Sequence, residues 1–233
     1  MIEDEEYIRF QTSIGYVLIY PRFEKVSSSK GGEVFFYELL STVYMNNEFI
    51  DPESFYLNID YIETLEIYKK CLTIAESKGI CRIGINSCVE FITLGHFESL
   101  VSVFPNLEFY VEISEQTFSF ELNVLKFYVE NHFVSGRIRF LLDDFGMQGA
   151  NFSAVKEFGF YGVKLSKECF WDLYHNRRNL LLEVIDFLKF KSEFVIVEGV
   201  DSEDKMSFCT SLGVLMQGRY IDKFGDLDVQ SIS

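Results

Sequence analysis

Short apolar runs that each stop on a polar or charged residue recur along this chain, and they constrain its fold more than any other feature. Phe35-Phe36-Tyr37 stops at Glu38, Ile83-Gly84-Ile85 at Asn86, Phe109-Tyr110-Val111 at Glu112, and Phe140-Leu141-Leu142 at Asp143-Asp144. Gly162-Val163 leads to Lys164, Val195-Ile196-Val197 to Glu198, and Val214-Leu215-Met216 to Gln217. A strand buried on both faces reads as a continuous β-branched and aromatic run, and the first residue past it lies at the carboxyl edge of the sheet. In a closed α/β barrel those edges converge on one mouth, where active sites sit. The pattern predicts an α/β fold, a TIM-like (β/α)8 barrel, with these polar residues gathered at its mouth.

The strand candidates are Tyr16–Tyr20, Glu33–Leu40, Arg82–Asn86, Leu107–Ile113, Arg137–Asp143, Gly162–Leu165, Glu193–Glu198 and Val214–Gln217. Helical periodicity fills most gaps between them: Ile62 to Ala75, Phe118 to Phe133, Leu180 to Phe190 and Asp204 to Leu212. Alternating strands and helices imply parallel pairing through crossovers. The first unit differs. Only Pro21 through Gly32 joins its two strands, a hairpin-length segment too short for a helical crossover, which points to a first strand antiparallel to its neighbour. No linker divides the chain, so residues 1–233 are expected to form one barrel domain, with Asp222–Ser233 as a fraying tail.

Composition narrows the function. The formal net charge of −15 argues against coating nucleic acid, which needs clustered Lys and Arg, so no DNA partner is expected. A phosphate-bearing substrate stays open, because bound metal ions invert the local charge of a carboxylate pocket. No apolar stretch approaches the ~20 residues that cross a bilayer, and the acidic start Met1-Ile2-Glu3-Asp4-Glu5-Glu6 is unlike a secretory signal. Cys71, Cys81, Cys88, Cys169 and Cys209 fit no zinc spacing and read as reduced, mostly buried thiols of a cytoplasmic protein with no membrane partner.

Magnesium and manganese prefer oxygen ligands. Glu38, Asn86, Glu112 and Asp143 would supply such a set from separate strands, with Asp144 and Glu198 available for a second ion and Asp143 bridging. Two ions ~3.5–4 Å apart can clamp the attacking and leaving oxygens of a phosphodiester. Lys164 in the same mouth would orient the attacking water or offset charge on the phosphoryl group. Any one of these residues alone reads as a helix cap or a solvated charge; their joint placement at consecutive strand ends carries the inference. His96, His132 and His175 fall away from the strand ends, and Trp171 reads as a packing residue. Tyr20 and Tyr37 are candidates for stacking a guanine.

The same residues resemble an EAL domain, the bacterial cyclic-di-GMP phosphodiesterase module, over nearly the whole chain. Leu141-Leu142-Asp143-Asp144-Phe145-Gly146 resembles the family's most specific block, and Lys164 follows it. Glu112-Ile113-Ser114-Glu115 is similar to the E-I-T-E block, and Val197-Glu198-Gly199-Val200-Asp201 to the A-E-G-V-E block. Leu212-Gly213 with Gln217-Gly218 matches the closing signature, and the name-giving tripeptide appears as Glu38-Leu39-Leu40. The resemblance implies hydrolysis of cyclic-di-GMP to linear pGpG with Mg²⁺ or Mn²⁺ in a two-metal site. Glu38, Asn86, Glu112 and Asp143 would hold the first metal and Asp144 with Glu198 the second. Lys164 would assist the water, Gln217 would sit beside it, and Glu115 would brace the loop Phe145–Ser153. It also implies a homodimer, and regulation by expression, dimerisation or a protein in trans.

Three departures bear on substrate holding. Thr42 stands where the family has the phosphate-binding Arg of E-A-L-L-R, Tyr20-Pro21 where it has Q-P, and Ser166 where it has the Asp of K-x-D. The loop Met147-Gln148-Gly149-Ala150-Asn151-Phe152-Ser153 also differs from the family's T-G-Y-S-S-L. The primary ligands survive, which implies an active enzyme with weakened substrate contacts. The alternatives are a catalytically silent module that binds nucleotide or a protein partner, and a barrel hydrolase acting on another phosphoester.

Overall fold

The computed structural model describes residues 6–28, 34–115, 119–132, 136–147 and 152–227. The chain opens with β1 (Ile8–Thr12), β2 (Gly15–Ser27), β3 (Val34–Met45) and β4 (Glu48–Ile50), followed by α1 (Pro52–Asn58) and α2 (Tyr61–Ser77). Strands and helices then alternate: β5 (Arg82–Asn86), α3 (Val89–Thr93), α4 (His96–Val103), β6 (Glu108–Ser114), α5 (Ser119–His132), β7 (Ile138–Phe145) and α6 (Phe152–Phe158). The last units are β8 (Gly162–Leu165), α7 (Lys167–Asn176), α8 (Arg178–Lys191), β9 (Phe194–Val197), α9 (Glu203–Leu212), β10 (Leu215–Gln217) and α10 (Arg219–Leu227).

Strands β3 and β5 to β10 pair in parallel, and β2 closes the ring by pairing antiparallel with both β3 and β10. This is the expected α/β barrel with its first strand reversed. The expected extent of that strand needs correction. Pro21–Ser27, taken as part of a connecting loop, continues β2, so Tyr20-Pro21 does not end a strand. β2 pairs with β1 over Gly15–Ile19 and with β10 at Val26–Ser27, so Pro21 lies where only β3 stands beside it. A missing N–H breaks no second ladder there.

β3 also runs beyond Leu40 to Met45, and β4 adds a short edge strand that the sequence reading did not contain, as does β1. Glu33, Phe118, Phe133, the loop residues 148–151 and the tail 228–233 lie outside the described residues. The first part of the segment read as a tail is not frayed coil. Asp222–Leu227 belongs to α10, anchored by buried Ile221 and by the Lys25 amide donating to Asp222 Oδ1 at 3.2 Å.

The core has two layers. Inside the barrel Val26, Phe36, Tyr110, Leu141, Ile196 and Leu215 fill the floor, with the Phe36 and Tyr110 rings stacked at 4.4 Å. Outside it, the helices bury their apolar stripes against the strands; α2 presents Leu65, Ile67, Tyr68, Cys71, Leu72 and Ala75. Its start is fixed by a capping box, in which Asp60 accepts from the Glu63 amide at 2.7 Å and Glu63 from the Asp60 amide. An aromatic floor below and charged strand ends above leave the polar residues with one place to gather, the mouth.

Candidate active site

Lys164 organises the mouth. Its ammonium lies 2.7 Å from Glu112 Oε2, 3.0 Å from Glu198 Oε1, and 3.1 Å from both Glu38 Oε2 and Asp143 Oδ1. These carboxylates arrive from β3, β6, β7 and the end of β9, so the barrel brings together residues as distant in sequence as 38 and 198. The lysine is 1% exposed. Burial opposes its charge, but Asp143, Glu112, Glu38 and Glu198 outweigh burial and raise its pKa well above the usual lysine value. Held among these carboxylates, it favours the ammonium form and donates to them.

Glu38 is the most supported acid. It accepts from Lys164, from Gln217 Nε2 at 2.6 Å and from Asn86 Nδ2 at 3.0 Å. Burial pushes its pKa up, yet the Lys164 charge and these donors together hold it below the ordinary value. Glu112 has Lys164 on one oxygen, while its Oε1 is buried without a hydrogen-bond partner. Burial first, then the charges of Glu38 and Asp143, drive its pKa well up. Glu198 is pushed to about 7 and Asp144 to about 6, burial leading in both, with Asp143 as the first repelling charge.

Local backbone supports this crowding. Asp144 adopts φ +57°, and the β7–β8 register shifts between Leu142 and Phe145, which lets consecutive aspartates share one strand end. Gly84 leaves room for Glu112: a Cβ there would meet its Oε1 and the Phe36 ring, each at 2.7 Å. Glu115 accepts from the Gly146 amide, just past β7, at 2.9 Å.

The structure thus brings Glu38, Asn86, Glu112, Lys164 and Gln217 into one hydrogen-bonded cluster, which Asp143 and Glu198 join through ion pairs to Lys164, with Asp144 beside it. Among the described residues no group of three His, Cys, Asp or Glu is arranged to ligate a metal ion, since the lysine ammonium occupies the point of convergence. Divalent cations nevertheless fit the donor set. The donors are hard oxygens, one ammonium faces four carboxylates, and the buried acceptor atoms Glu112 Oε1 and Gln217 Oε1 lack partners.

Other expectations resolve differently. Tyr20 stands above the mouth on the antiparallel part of β2, in register with Thr42; the β2 residue at the mouth is Glu24, in register with Glu38 and 3.3 Å from Gln217 Nε2. Sequence reading missed Glu24 because Pro21 was taken as a break. Ser166 caps α7, accepting from the Cys169 amide at 3.4 Å. His96 packs against Tyr61 and Phe91, and His175 against Tyr174. Trp171 joins the helical core but also lines a cleft of about 520 Å³ beside Glu24, Glu38, Glu198 and Gln217. Its Nε1 donates to the Gly199 carbonyl at 2.8 Å. All five cysteines are free, with Cys81 and Cys88 exposed rather than buried. No helix among the described residues is long and apolar enough to cross a membrane.

Solved structures repeat this architecture. YkuI of Bacillus subtilis, a protein with an EAL domain solved with the substrate c-di-GMP and calcium, superposes with a TM-score of 0.67 at 17% identity. The match covers 87% of this chain and 55% of YkuI, so the chain spans about half of that relative's length. The EAL domain of FimX from Xanthomonas citri, solved with c-diGMP, gives a TM-score of 0.67 at 15% identity, covering 87% of this chain and 86% of that one. An EAL domain protein of Listeria monocytogenes gives 0.65 at 15%, covering 92% and 93%. At these identities the likeness shows the fold alone. No curated protein matches the sequence. The EAL domain family model, however, matches residues 17–223, from the first barrel strand to the last helix, and the chain belongs to the EAL domain family.

Proposed function

We propose that this protein is a metal-dependent phosphodiesterase that hydrolyses cyclic-di-GMP to linear pGpG. The observation that carries the reading is the convergence of Glu38, Glu112, Asp143 and Glu198 on Lys164 at one barrel mouth, with buried acceptor oxygens left unpaired. Glu38, Asn86, Glu112 and Asp143 would hold one Mg²⁺ or Mn²⁺, and Asp144 with Glu198 a second. When bound, the ions would acidify water and neutralise charge on the scissile phosphate. Lys164, fixed as an ammonium, holds the carboxylates in place and offers a positive charge toward the phosphoryl oxygens. Gln217 has its nitrogen tied to Glu38 and Glu24, which turns its free Oε1 into a fixed acceptor for a water proton. Hydrolysis adds the water oxygen to phosphorus and breaks the P–O3′ bond, and the departing 3′ oxygen takes a proton. A cytoplasmic homodimer, regulated in trans, belongs to the same proposal.

A silent binding module is the second reading, favoured by the lysine that already occupies the convergence of carboxylates. Product analysis of purified protein with cyclic-di-GMP and Mg²⁺ or Mn²⁺ separates the two. Metal-dependent pGpG that disappears in Glu38→Ala supports the enzyme. Folded protein with no turnover in either metal overturns it in favour of the silent module.

A further inference from the structure

The oxygen donors of the mouth differ in how firmly the sheet holds them. Glu38 and Glu112 each stand inside a ladder on both sides, opposite Glu24 and Gly84 for the one and Asn86 and Leu141 for the other. Asn86 does not. On the β3 side, β5 is paired only as far as Ile85, which faces Leu39. Backbone pairing reaches Asn86 from the β6 side alone, where the following amide, that of Ser87, donates to the Glu112 carbonyl at 3.0 Å. Its side chain is nevertheless aimed: Nδ2 donates to Glu38 Oε1 at 3.0 Å, which leaves Oδ1 as the atom that can serve a cation.

The missing support comes from outside the barrel. Tyr68, on α2 and 8% exposed, donates from its hydroxyl to the Asn86 carbonyl at 2.8 Å. Its ring is itself fixed, stacked on Tyr56 with centroids 5.8 Å apart and met edge-on by Phe91 at 5.9 Å. Tyr56, on α1, shares a hydrogen bond of 3.0 Å with the hydroxyl of Ser41, which lies on β3 just past Glu38. Two stacked tyrosines therefore bridge β3 and β5 where the ladder between those strands has stopped.

We propose that Tyr68 is a positioning residue for Asn86: by holding the Asn86 carbonyl, it sets the direction in which the amide side chain reaches Glu38 and a divalent cation. The proposal rests on the reading of Asn86 as a metal ligand above, and not on hydrolysis. Any buried tyrosine hydroxyl needs a partner, which by itself is a matter of packing. Here the partner is the backbone of a residue that offers an oxygen to the site, gripped at the point where strand pairing no longer constrains it. Groups that orient a ligand without touching the metal typically change its affinity by ~10–100-fold.

The test is calorimetric binding of Mn²⁺ to the full chain, with thermal melting to verify folding. Tyr68→Phe keeps the ring and removes the hydroxyl, and is expected to weaken Mn²⁺ binding ~10-fold or more. Thr64→Val removes a hydroxyl bonded to the Asp60 carbonyl on the same helix, and is expected to bind within about 2-fold of wild type. In an Asn86→Ala background, Tyr68→Phe is expected to cost no more than about 2-fold further, because there is no amide left to orient. 3-Fluorotyrosine at position 68 keeps the hydroxyl, so it remains informative even if Tyr68→Phe does not fold; its fluorine resonance should shift when Mg²⁺ binds. Wild-type-like affinity in folded Tyr68→Phe, an equal loss with and without the Asn86 side chain, or a fluorine signal that ignores bound Mg²⁺ overturns the positioning role and leaves the phosphodiesterase reading intact. A parent chain that binds Mn²⁺ without hydrolysing cyclic-di-GMP overturns that reading and leaves the positioning role standing. A parent chain that binds no Mn²⁺ overturns both.

Discussion

Replacing Lys164 with methionine keeps most of the side-chain volume and removes the charge that faces Glu38, Glu112, Asp143 and Glu198 at 2.7 to 3.1 Å. An ion pair at 4 Å contributes ~4 kcal/mol at an effective dielectric of 20, but desolvation offsets much of that. The cost of Lys164→Met comes instead from what remains, buried acids repelling one another without a cation. Breaking a buried pair in this way costs about 3–5 kcal/mol. For a chain of this size each kcal/mol moves the melting point by about 2–4 °C, so metal-free Lys164→Met should melt ~6–20 °C below wild type at pH 8.

The loss has a direction with pH. Glu198, raised from 4.5 to about 7, binds its proton more tightly folded than unfolded. Its stabilising contribution is complete below pH 4.5 and is lost as pH rises through about 7. Removing the ammonium raises that carboxyl further, and Glu112 with it, so the melting deficit should shrink toward pH 5 as both protonate. Mn²⁺ at pH 8 should restore part of it by replacing the lost charge. Thermal unfolding followed by circular dichroism, in EDTA at pH 5 and pH 8 and in Mn²⁺ without chelator at pH 8, gives all three numbers. A variant that melts within ~2 °C of wild type at pH 8 would refute the idea that Lys164 holds the acids together.

Gly84→Ala puts a methyl 2.7 Å from both Glu112 Oε1 and the Phe36 ring, so it should cost about 1–3 kcal/mol in urea unfolding and weaken Mn²⁺ binding; unchanged unfolding would mean both groups yield freely. Glu115→Gln weakens the charge-assisted bond to the Gly146 amide, and hydrogen exchange there should rise roughly 10-fold, about 1.4 kcal/mol of local stability. Cys71 and Cys209, pushed up to about 12 by burial, should resist iodoacetamide at pH 8 while exposed Cys81 is alkylated; labelling of Cys71 in the folded protein would contradict its burial.

The barrel was legible because its strands are buried on both faces and therefore hydrophobic without alternation; β5 and β8 match their expected bounds. The acids were legible because each follows such a run. Glu24 was not, since β2 there reads Arg22-Phe23-Glu24-Lys25, polar and proline-led, and becomes a strand only through pairing with β3. Gly84 looked like an ordinary strand residue until Glu112 was seen packed over it. The placement of Lys164 within reach of four acids depends on barrel closure, which no local pattern encodes.

That closure has a consequence for how the protein is made. β2 and β3 form a local hairpin, but the seam joins Val26 to Gln217, and Gln217 reaches Glu38 across 179 residues of chain. Until the last strand leaves the ribosome, the nascent sheet has two open edges and its acidic cluster lacks a member. Contacts this distant in sequence form late. The site is then among the last parts of the molecule to assemble, and a chain cut short before residue 217 would carry most of the acids yet not enclose them.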